Sequence, residues 1–129
     1  MNTSSASSSS GEPLSPAVFH VLLALALHER HGYGIMKQAE HDSDGRIHLG
    51  PGTLYGTIKR LIAAGLIEAT EERPDPALDD QRRRYYRITP AGQQQLGLEL
   101  ERLDRLVTVA RQQRLLPGHK VDALELTNA

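Results

Sequence analysis

The sequence predicts a mainly α-helical α+β domain. Three observations support this class: helical apolar patterns recur along residues 14–64, an alternating segment over residues 83–89 predicts part of a β-hairpin, and a heptad pattern predicts a last, long helix. The chain has 129 residues, a formal net charge of −1 and no cysteine. It is therefore one modest domain without disulfides or thiolate zinc ligands, and any basic surface must be local. Together these features indicate a winged helix-turn-helix domain with a long C-terminal dimerisation helix.

The chain divides into four predicted segments. Residues 1–13 form a serine-rich tail of low complexity, which we expect to be disordered. Residues 14–89 form the predicted winged helix-turn-helix, residues 90–116 the dimerisation helix, and residues 117–129 a tail that could add one helical turn. The apolar run over residues 17–27 follows an acidic residue and is too short to cross a bilayer. It indicates a buried helix in a cytoplasmic protein, without a membrane partner.

The first helix should begin at Ser15 and Pro16, a capping residue followed by a proline that suits the first helical turn. The pattern predicts that it covers Ala17–His28. Because this stretch is apolar on nearly all sides, we expect it to lie at the centre of the core. Gly32 is the predicted end of this first helical unit.

A second, short helix is predicted from residue 34 or 35 to about residue 42. Ile35 and Ala39 share its inner face. The polar segment over residues 42–45 predicts a turn, and residues 46–49 could form a very short strand.

The third helix is predicted over residues 50–64, with Pro51 in its first turn and Gly65 just beyond its end. Its apolar stripe consists of Leu54, Ile58, Leu61 and Ile62. At about 100° per residue, the opposite side carries Gly52, Thr53, Gly56, Lys59 and Arg60. Small residues, a hydroxyl and two cations suit a helix that lies in a DNA groove.

A β-hairpin follows. Residues 66–70 predict one strand, residues 71–81 a charged loop with two prolines, and Arg83–Thr89 an alternating second strand. Directly after a helix, this hairpin indicates the wing of a winged helix-turn-helix. Arg82, Arg83 and Arg84 end the predicted loop and could reach phosphates or a minor groove. Alternatively they form a solvated charge run that pairs with nearby acids at positions 71, 72, 79 and 80.

The last helix is predicted from Pro90 to Leu115, with Thr89 as its cap. Leu96, Leu100, Leu103, Val107 and Ala110 step by four, three, four and three residues along it. That spacing is a heptad seam, which requires a partner helix. The helix could fold back on its own domain, but it extends past the rest of the chain, so we predict a homodimer.

Three motifs in this order resemble the PadR-type transcriptional regulators, winged-helix proteins named for control of phenolic acid decarboxylase. They are HGYGI at residues 31–35, PGTLYGTIKRLIAAGLIE at residues 51–68 and RRYYRITPAG at residues 83–92. The chain departs from the family pattern at Gly56, where proline or another residue is more common. It also lacks the tryptophan with which some members stack flat drugs on the last helix.

The resemblance and the residue pattern imply the same roles. The third helix would be the recognition helix, with Thr53 and Tyr55 contacting phosphates or bases, and Lys59 and Arg60 neutralising phosphates. Gly52 and Gly56 would permit close backbone approach, although the Tyr55 ring could instead lie partly in the core. The resemblance adds Tyr33 and Lys37 as contacts to the DNA backbone. Two subunits joined by their last helices would present two recognition helices to a pseudo-palindromic operator, with half-sites about one helical turn apart or a multiple of it. The resemblance further implies repression relieved by a small-molecule effector.

Other functions have weaker support. His28, His31 and His41 could indicate a metal-responsive regulator, but without cysteine no complete ligand set is visible. GPGTLYG over residues 50–56 lacks the Gly-Lys-Ser/Thr ending of a phosphate loop, so we expect neither an enzyme nor a bound cofactor. A winged helix that binds only other proteins is the remaining alternative. Such a module would carry apolar residues on the exposed face of the third helix.

Overall fold

The computed structural model describes residues 12–74 and 82–117 and confirms the predicted mainly helical α+β winged helix-turn-helix. Its elements, in chain order, are α1 (Pro16–Leu25), β1 (Arg30–His31), α2 (Gly32–Asp42), α3 (Pro51–Ala63), β2 (Ile67–Pro74), β3 (Arg82–Ile88) and α4 (Pro90–Gln112). Most of the predicted disordered tail, most of the predicted hairpin loop and most of the C-terminal tail lie outside the described residues. Within them, no helix combines the length and apolar character needed to cross a membrane.

α1 begins as predicted, because the Ser15 hydroxyl accepts the Val18 N–H at 3.2 Å and a proline occupies the first turn. It ends at Leu25, three residues earlier than predicted. There Arg30 Nε donates to the Ala24 carbonyl at 2.6 Å and satisfies one acceptor of the last turn. The chain then extends into β1, a strand too short to have left a pattern in the sequence.

The prediction that Gly32 ends the first helical unit is wrong, because Gly32 is the first residue of α2. The cap is His31, whose Nδ1 accepts the Gly34 N–H at 3.0 Å. Ile35 and Ala39 are fully buried, which confirms the predicted inner face.

The turn after α2 is confirmed: Asp44 and Gly45 have φ angles of 59° and 80°. The strand predicted over residues 46–49 does not form. These residues make local hydrogen bonds to Ser43 instead, from the N–H groups of Arg46 and Ile47. Leu49 is nevertheless buried, so the segment is held against the core without a strand partner.

The core lies between α1 and the inward faces of α2, α3, β2 and α4. Its buried apolar members include Val21, Leu22, Leu25, Ile35, Ala39, Leu54, Ile58, Leu61, Ile67 and Leu96. The apolar stripe predicted for α3 needs one correction, since Ile62 is 41% exposed while Thr57 is fully buried. The buried arc of α3 is rotated toward Thr57, which places Ile62 at the edge of the core.

The three strands form one antiparallel sheet in the order β1-β3-β2. β2 pairs with β3 from Ile67 opposite Ile88 to Pro74 opposite Arg82, with an irregularity between Ala69 and Glu72. Residues 71–74 therefore extend the strand, although their charge and proline had predicted a loop. A proline at the last position of β2 is compatible with an edge strand.

α4 begins where predicted, with Thr89 Oγ1 accepting the Gly92 N–H at 3.1 Å and donating to the Gly65 carbonyl at 2.7 Å. It ends at Gln112, three residues before the predicted end. All its buried residues, Gly92, Leu96 and Glu99, lie in its N-terminal half. Among the residues that the structure describes, none in the C-terminal half of α4 is buried.

Glu99 is the buried charged residue of α4. It binds Arg102 through both carboxylate oxygens, at 2.8 and 2.9 Å, and accepts the Leu14 N–H at 3.3 Å. The hydrogen bond from the Arg102 guanidinium, helped by the Leu14 N–H, lowers the pKa of Glu99 against the opposing effect of burial. This carboxylate ties α4 to the segment that leads into α1.

Candidate DNA-binding surface

The outward face of α3 is polar and carries little side-chain bulk. Gly52, Thr53, Lys59 and Arg60 are exposed and Gly56 is half-buried, as the helical pattern predicted. Gly50 caps the helix without a side-chain hydrogen bond, and the first turn is exposed. Free backbone N–H groups and the positive end of the helix dipole therefore face solvent, where a phosphate can bind.

The two glycines on this face are not required by the fold. A Cβ at Gly52 would meet nothing within 4 Å, and one at Gly56 would lie 3.7 Å from Arg60 Nη1, an ordinary contact. Neither has a positive φ. A glycine inside a helix costs about 1 kcal/mol relative to alanine. No contact within the described chain accounts for that cost, and the absence of side chains leaves the backbone of this face open to close approach.

Tyr55 lies partly against the core, which was one of the two roles that the sequence left open, and its contact with DNA stays a prediction. The residue is 47% exposed, yet its hydroxyl lies against Gly32, where an added Cβ would come within 2.2 Å of the oxygen. Gly32 must therefore remain a glycine for this contact to exist. The ring connects the first residue of α2 to α3 and leaves one face open to solvent.

Tyr33 and Lys37 lie together on the exposed start of α2. The Tyr33 ring stacks on His31 with centroids 6.4 Å apart, and Lys37 Nζ lies 5.8 Å from the Tyr33 centroid. Lys37 also pairs with Glu40 at 3.9 Å. His31 in turn contacts the Tyr85 ring edge-on at 5.2 Å, so this cluster reaches the wing.

The two cations of α3 differ in how they are held. Arg60 Nη2 donates to Thr57 Oγ1 at 3.3 Å, which folds the guanidinium back along the helix. Lys59 makes no hydrogen bond or ion pair within the part of the chain that the structure describes. Lys59 is thus without a partner among the described residues, whereas Arg60 is tethered to α3 by one hydrogen bond.

The arginines of the wing are largely engaged by nearby groups. Arg84 lies 3.5 Å from Glu72 and donates to the Thr70 carbonyl at 3.3 Å, the acid pairing that the sequence left as an alternative. Arg83 is half-buried, and Arg82 begins β3. The acids predicted at positions 79 and 80 lie outside the described residues.

A carboxylate cluster anchors the base of the hairpin. Glu29 pairs with Arg73 and lies 3.7 Å from Arg87, which also binds Glu68 at 2.6 Å. The Arg73 guanidinium covers the Tyr85 ring at 4.1 Å. These arginines therefore have structural partners, and the sequence analysis assigned them no role.

The sequence analysis did not single out Arg46 as a candidate contact. Arg46 lies in the connection between α2 and α3, and no hydrogen bond or ion pair engages its side chain among the described residues. Its position just before the predicted recognition helix was the feature of the sequence that could have identified it.

The histidines do not form a metal centre in the described part of the chain. His28 and His41 are exposed, and Nδ1 of His31 is used to cap α2. No group of three or more potential ligands comes together among the residues that the structure describes. The metal-responsive alternative gains no support from this arrangement.

The fold buries one residue of the predicted dimer seam and leaves the others at least partly exposed. Leu96 is only 5% exposed and packs in the core of its own domain, whereas Leu100 is 41% exposed. Leu103, Val107 and Ala110 are half-buried on the C-terminal half of α4. A second set of exposed apolar residues, Leu98, Leu106 and Val109, lies on other faces of the same helix.

Comparison with known proteins identifies relatives of the chain. Residues 21–98 match the model of the transcriptional regulator PadR-like family. Over 87 residues, 67% of this chain and 75% of the relative, the sequence is 36% identical to a transcriptional regulator of Mycobacterium tuberculosis. It is 41% identical over 86 residues, 67% of this chain, to an uncharacterised 37.1 kDa protein from a Streptomyces fradiae transposon, of which the match spans 22%.

The fold is also similar to that of PadR from Bacillus subtilis, which was solved in complex with operator DNA. The TM-score is 0.55 at 20% identity, and the alignment covers 67% of this chain and 46% of that one. This likeness shows a shared fold.

Proposed function

The chain belongs to the PadR-like family of transcriptional regulators, and on that premise we propose that it binds a pseudo-palindromic DNA operator as a homodimer. The observation that carries this proposal is the exposed face of α3, with two glycines that the fold does not require beside Lys59 and Arg60. The operator complex of the Bacillus subtilis relative supports the same partner.

In this proposal α3 enters the major groove by its N-terminal end. Thr53 and the open side of Tyr55 contact phosphates or base edges, and the bare backbone at Gly52 and Gly56 approaches the groove closely. Lys59 neutralises phosphate charge. Tyr33 and Lys37 on α2, together with Arg46, meet the DNA backbone beside α3, and Arg82, Arg83 or Arg84 contacts it from the wing.

The C-terminal half of α4 provides the proposed dimer contact through Leu100, Leu103, Val107 and Ala110. Leu96 positions the start of the helix from within the core of its own domain. Two subunits joined in this way present two copies of α3. Half-sites should then lie about one helical turn apart, or a multiple of it.

Binding to random-sequence duplex across a salt series tests the proposal. The logarithm of affinity should fall linearly with the logarithm of salt concentration, with a slope of about −0.9 per neutralised phosphate. Lys59→Ala should reduce the slope by about one on every sequence. Arg105→Ala, which removes an exposed cation from α4, is the matched control. Undetectable affinity at low salt would favour a protein-interaction module instead.

The dimer contact is tested by sedimentation of two variants of α4. Leu103→Asp places a charge in the seam and should give a monomer, whereas Val109→Asp, on the opposite side of the helix, should remain dimeric. The reverse pattern would assign the contact to the face of Val109.

We infer repression and release by a small-molecule effector from the family. A reporter gene placed behind the selected operator tests repression directly, since expression should fall when the chain is present. A rise in expression would indicate an activator.

A further inference from the structure

The outward face of α3 has an asymmetric distribution of side chains. At about 100° per residue, Gly52, Gly56 and Lys59 follow its outermost line, while Thr53 and Arg60, seven residues apart, share one flank. The first two turns of the outermost line therefore carry no side chain that could reach a base. A base edge that meets this helix would therefore meet one of its two flanks, which carry Thr53 and Arg60 on one side and Tyr55 on the other.

Arg60 is held on that flank by two neighbours. Its Nη2 donates to Thr57 Oγ1 at 3.3 Å, and its Nη1 lies 3.7 Å from the position that a Cβ at Gly56 would occupy. Thr57 is fully buried, so it is a fixed anchor. The guanidinium thus lies one turn toward the N-terminus of α3, over bare backbone, while the side chain remains exposed.

We propose that Arg60 reads a guanine in the major groove by donating hydrogen bonds to its O6 and N7. A guanidinium presents a planar fork of donors that matches these two acceptors, and one hydrogen bond to Thr57 leaves most of its N–H groups available. Lys59, a flexible point charge, serves phosphates without distinguishing bases. Holding the fork in place before binding reduces the entropy that the contact costs. This inference rests on the proposed function.

The experiment begins with the consensus duplex that the wild-type chain selects from a random DNA pool. Each guanine of one half-site is replaced in turn by 7-deazaguanine, which lacks the N7 acceptor, and affinity is measured by fluorescence anisotropy. At one guanine the wild type should lose roughly fivefold or more in affinity, the value of one hydrogen bond of about 1 kcal/mol. Arg60→Ala, which removes the proposed donors, should bind the normal consensus more weakly and change less than about twofold on the same replacement.

Two further variants separate recognition of the guanine base from neutralisation of phosphate charge. Thr57→Val keeps the packing shape and the arginine but releases the guanidinium, so preference for the consensus over random duplex should fall roughly 2- to 12-fold, the cost of ordering one side chain. Lys59→Ala should weaken binding to both duplexes alike and retain the full sensitivity to 7-deazaguanine. Circular dichroism confirms that each variant is folded, and Thr57→Val serves as the test if Arg60→Ala is not folded.

The outcomes distinguish failure of the guanine contact from failure of the proposed DNA-binding function. Failure to bind any duplex at low salt would overturn both. Salt-dependent binding with no guanine in the selected half-site, or equal 7-deazaguanine losses in the wild type and Arg60→Ala, would overturn the reading of guanine and leave the proposed regulator function intact.

Discussion

The replacement Gly56→Ala should raise the stability of the protein while weakening its binding to DNA. Gly56 lies in the middle of α3, and the added Cβ would meet only Arg60 Nη1, at 3.7 Å. The fold therefore accommodates the methyl group without moving any neighbour. Most substitutions that reduce binding also reduce stability or leave it unchanged, so opposite signs would be informative.

The two magnitudes follow from different physics. Alanine is better than glycine inside a helix by about 1 kcal/mol, which corresponds to a rise in melting temperature of roughly 4 °C or more for a domain near 100 residues. On DNA the same methyl group enters a contact where the backbone approaches closely. Inserting a methyl into a close-packed contact costs about 1 to 3 kcal/mol, which is roughly a 5- to 150-fold loss of affinity.

Thermal unfolding and fluorescence anisotropy on the selected duplex measure the two effects. Gly97→Ala is the matched control, because Gly97 lies inside α4 and its added Cβ would meet nothing within 4 Å. The control should gain similar stability and bind DNA as the wild type does.

The reasoning would be refuted if Gly56→Ala bound DNA as tightly as the wild type while gaining stability. The absence of a side chain at Gly56 would then not be needed for DNA binding, and the exposed face of α3 would not approach a groove closely. A loss of stability would refute the steric part instead, because it would mean that the added methyl is not accommodated.

Three further predictions concern the scaffold. The pKa of Glu99 is lowered in the folded state. The ionised carboxylate therefore stabilises the fold above the unfolded-state pKa, and this stabilisation is lost as pH falls through the folded-state pKa. Glu99→Gln should cost about 1.5 kcal/mol of unfolding free energy at neutral pH and flatten the acid side of a curve of stability against pH. Gly92→Ala should destabilise by roughly 3 kcal/mol in urea unfolding, because its Cβ would lie 2.1 Å from the Leu66 carbonyl oxygen; unchanged stability would contradict this packing. Gly32→Ala should displace the Tyr55 ring, visible as a change in tyrosine fluorescence, and an unchanged spectrum would mean that the ring does not rest there.

The helices could be predicted from the sequence because their caps and their apolar spacing are local. Pro51 and Gly65 marked the start and the end of α3 within a residue or two, and the exposed side of that helix followed from spacing alone. Local signals also gave β3 and the start of α4.

What could not be predicted depends on residues far apart in the chain. β1 exists only because Arg30 and His31 meet β3, more than fifty positions away, and nothing in a two-residue stretch reveals that pairing. The burial of Leu96 in its own domain likewise required knowing where α4 crosses the core. The tether between Arg60 and Thr57 was hidden because the pattern did not show Thr57 to be buried.

The pairing of β1 with β3 has a consequence for how the molecule folds. The residue that caps α2, His31, is itself a strand residue, held opposite Tyr85 of the wing. α2 and α3 are therefore not a separable module, because the start of α2 is complete only once the hairpin has formed. A contact between such distant positions forms late, because closing a long loop costs entropy before the contact can offset it. Removing the hairpin should loosen the start of α2 and the seat of Tyr55 together, so the helices and the wing act as one cooperative unit.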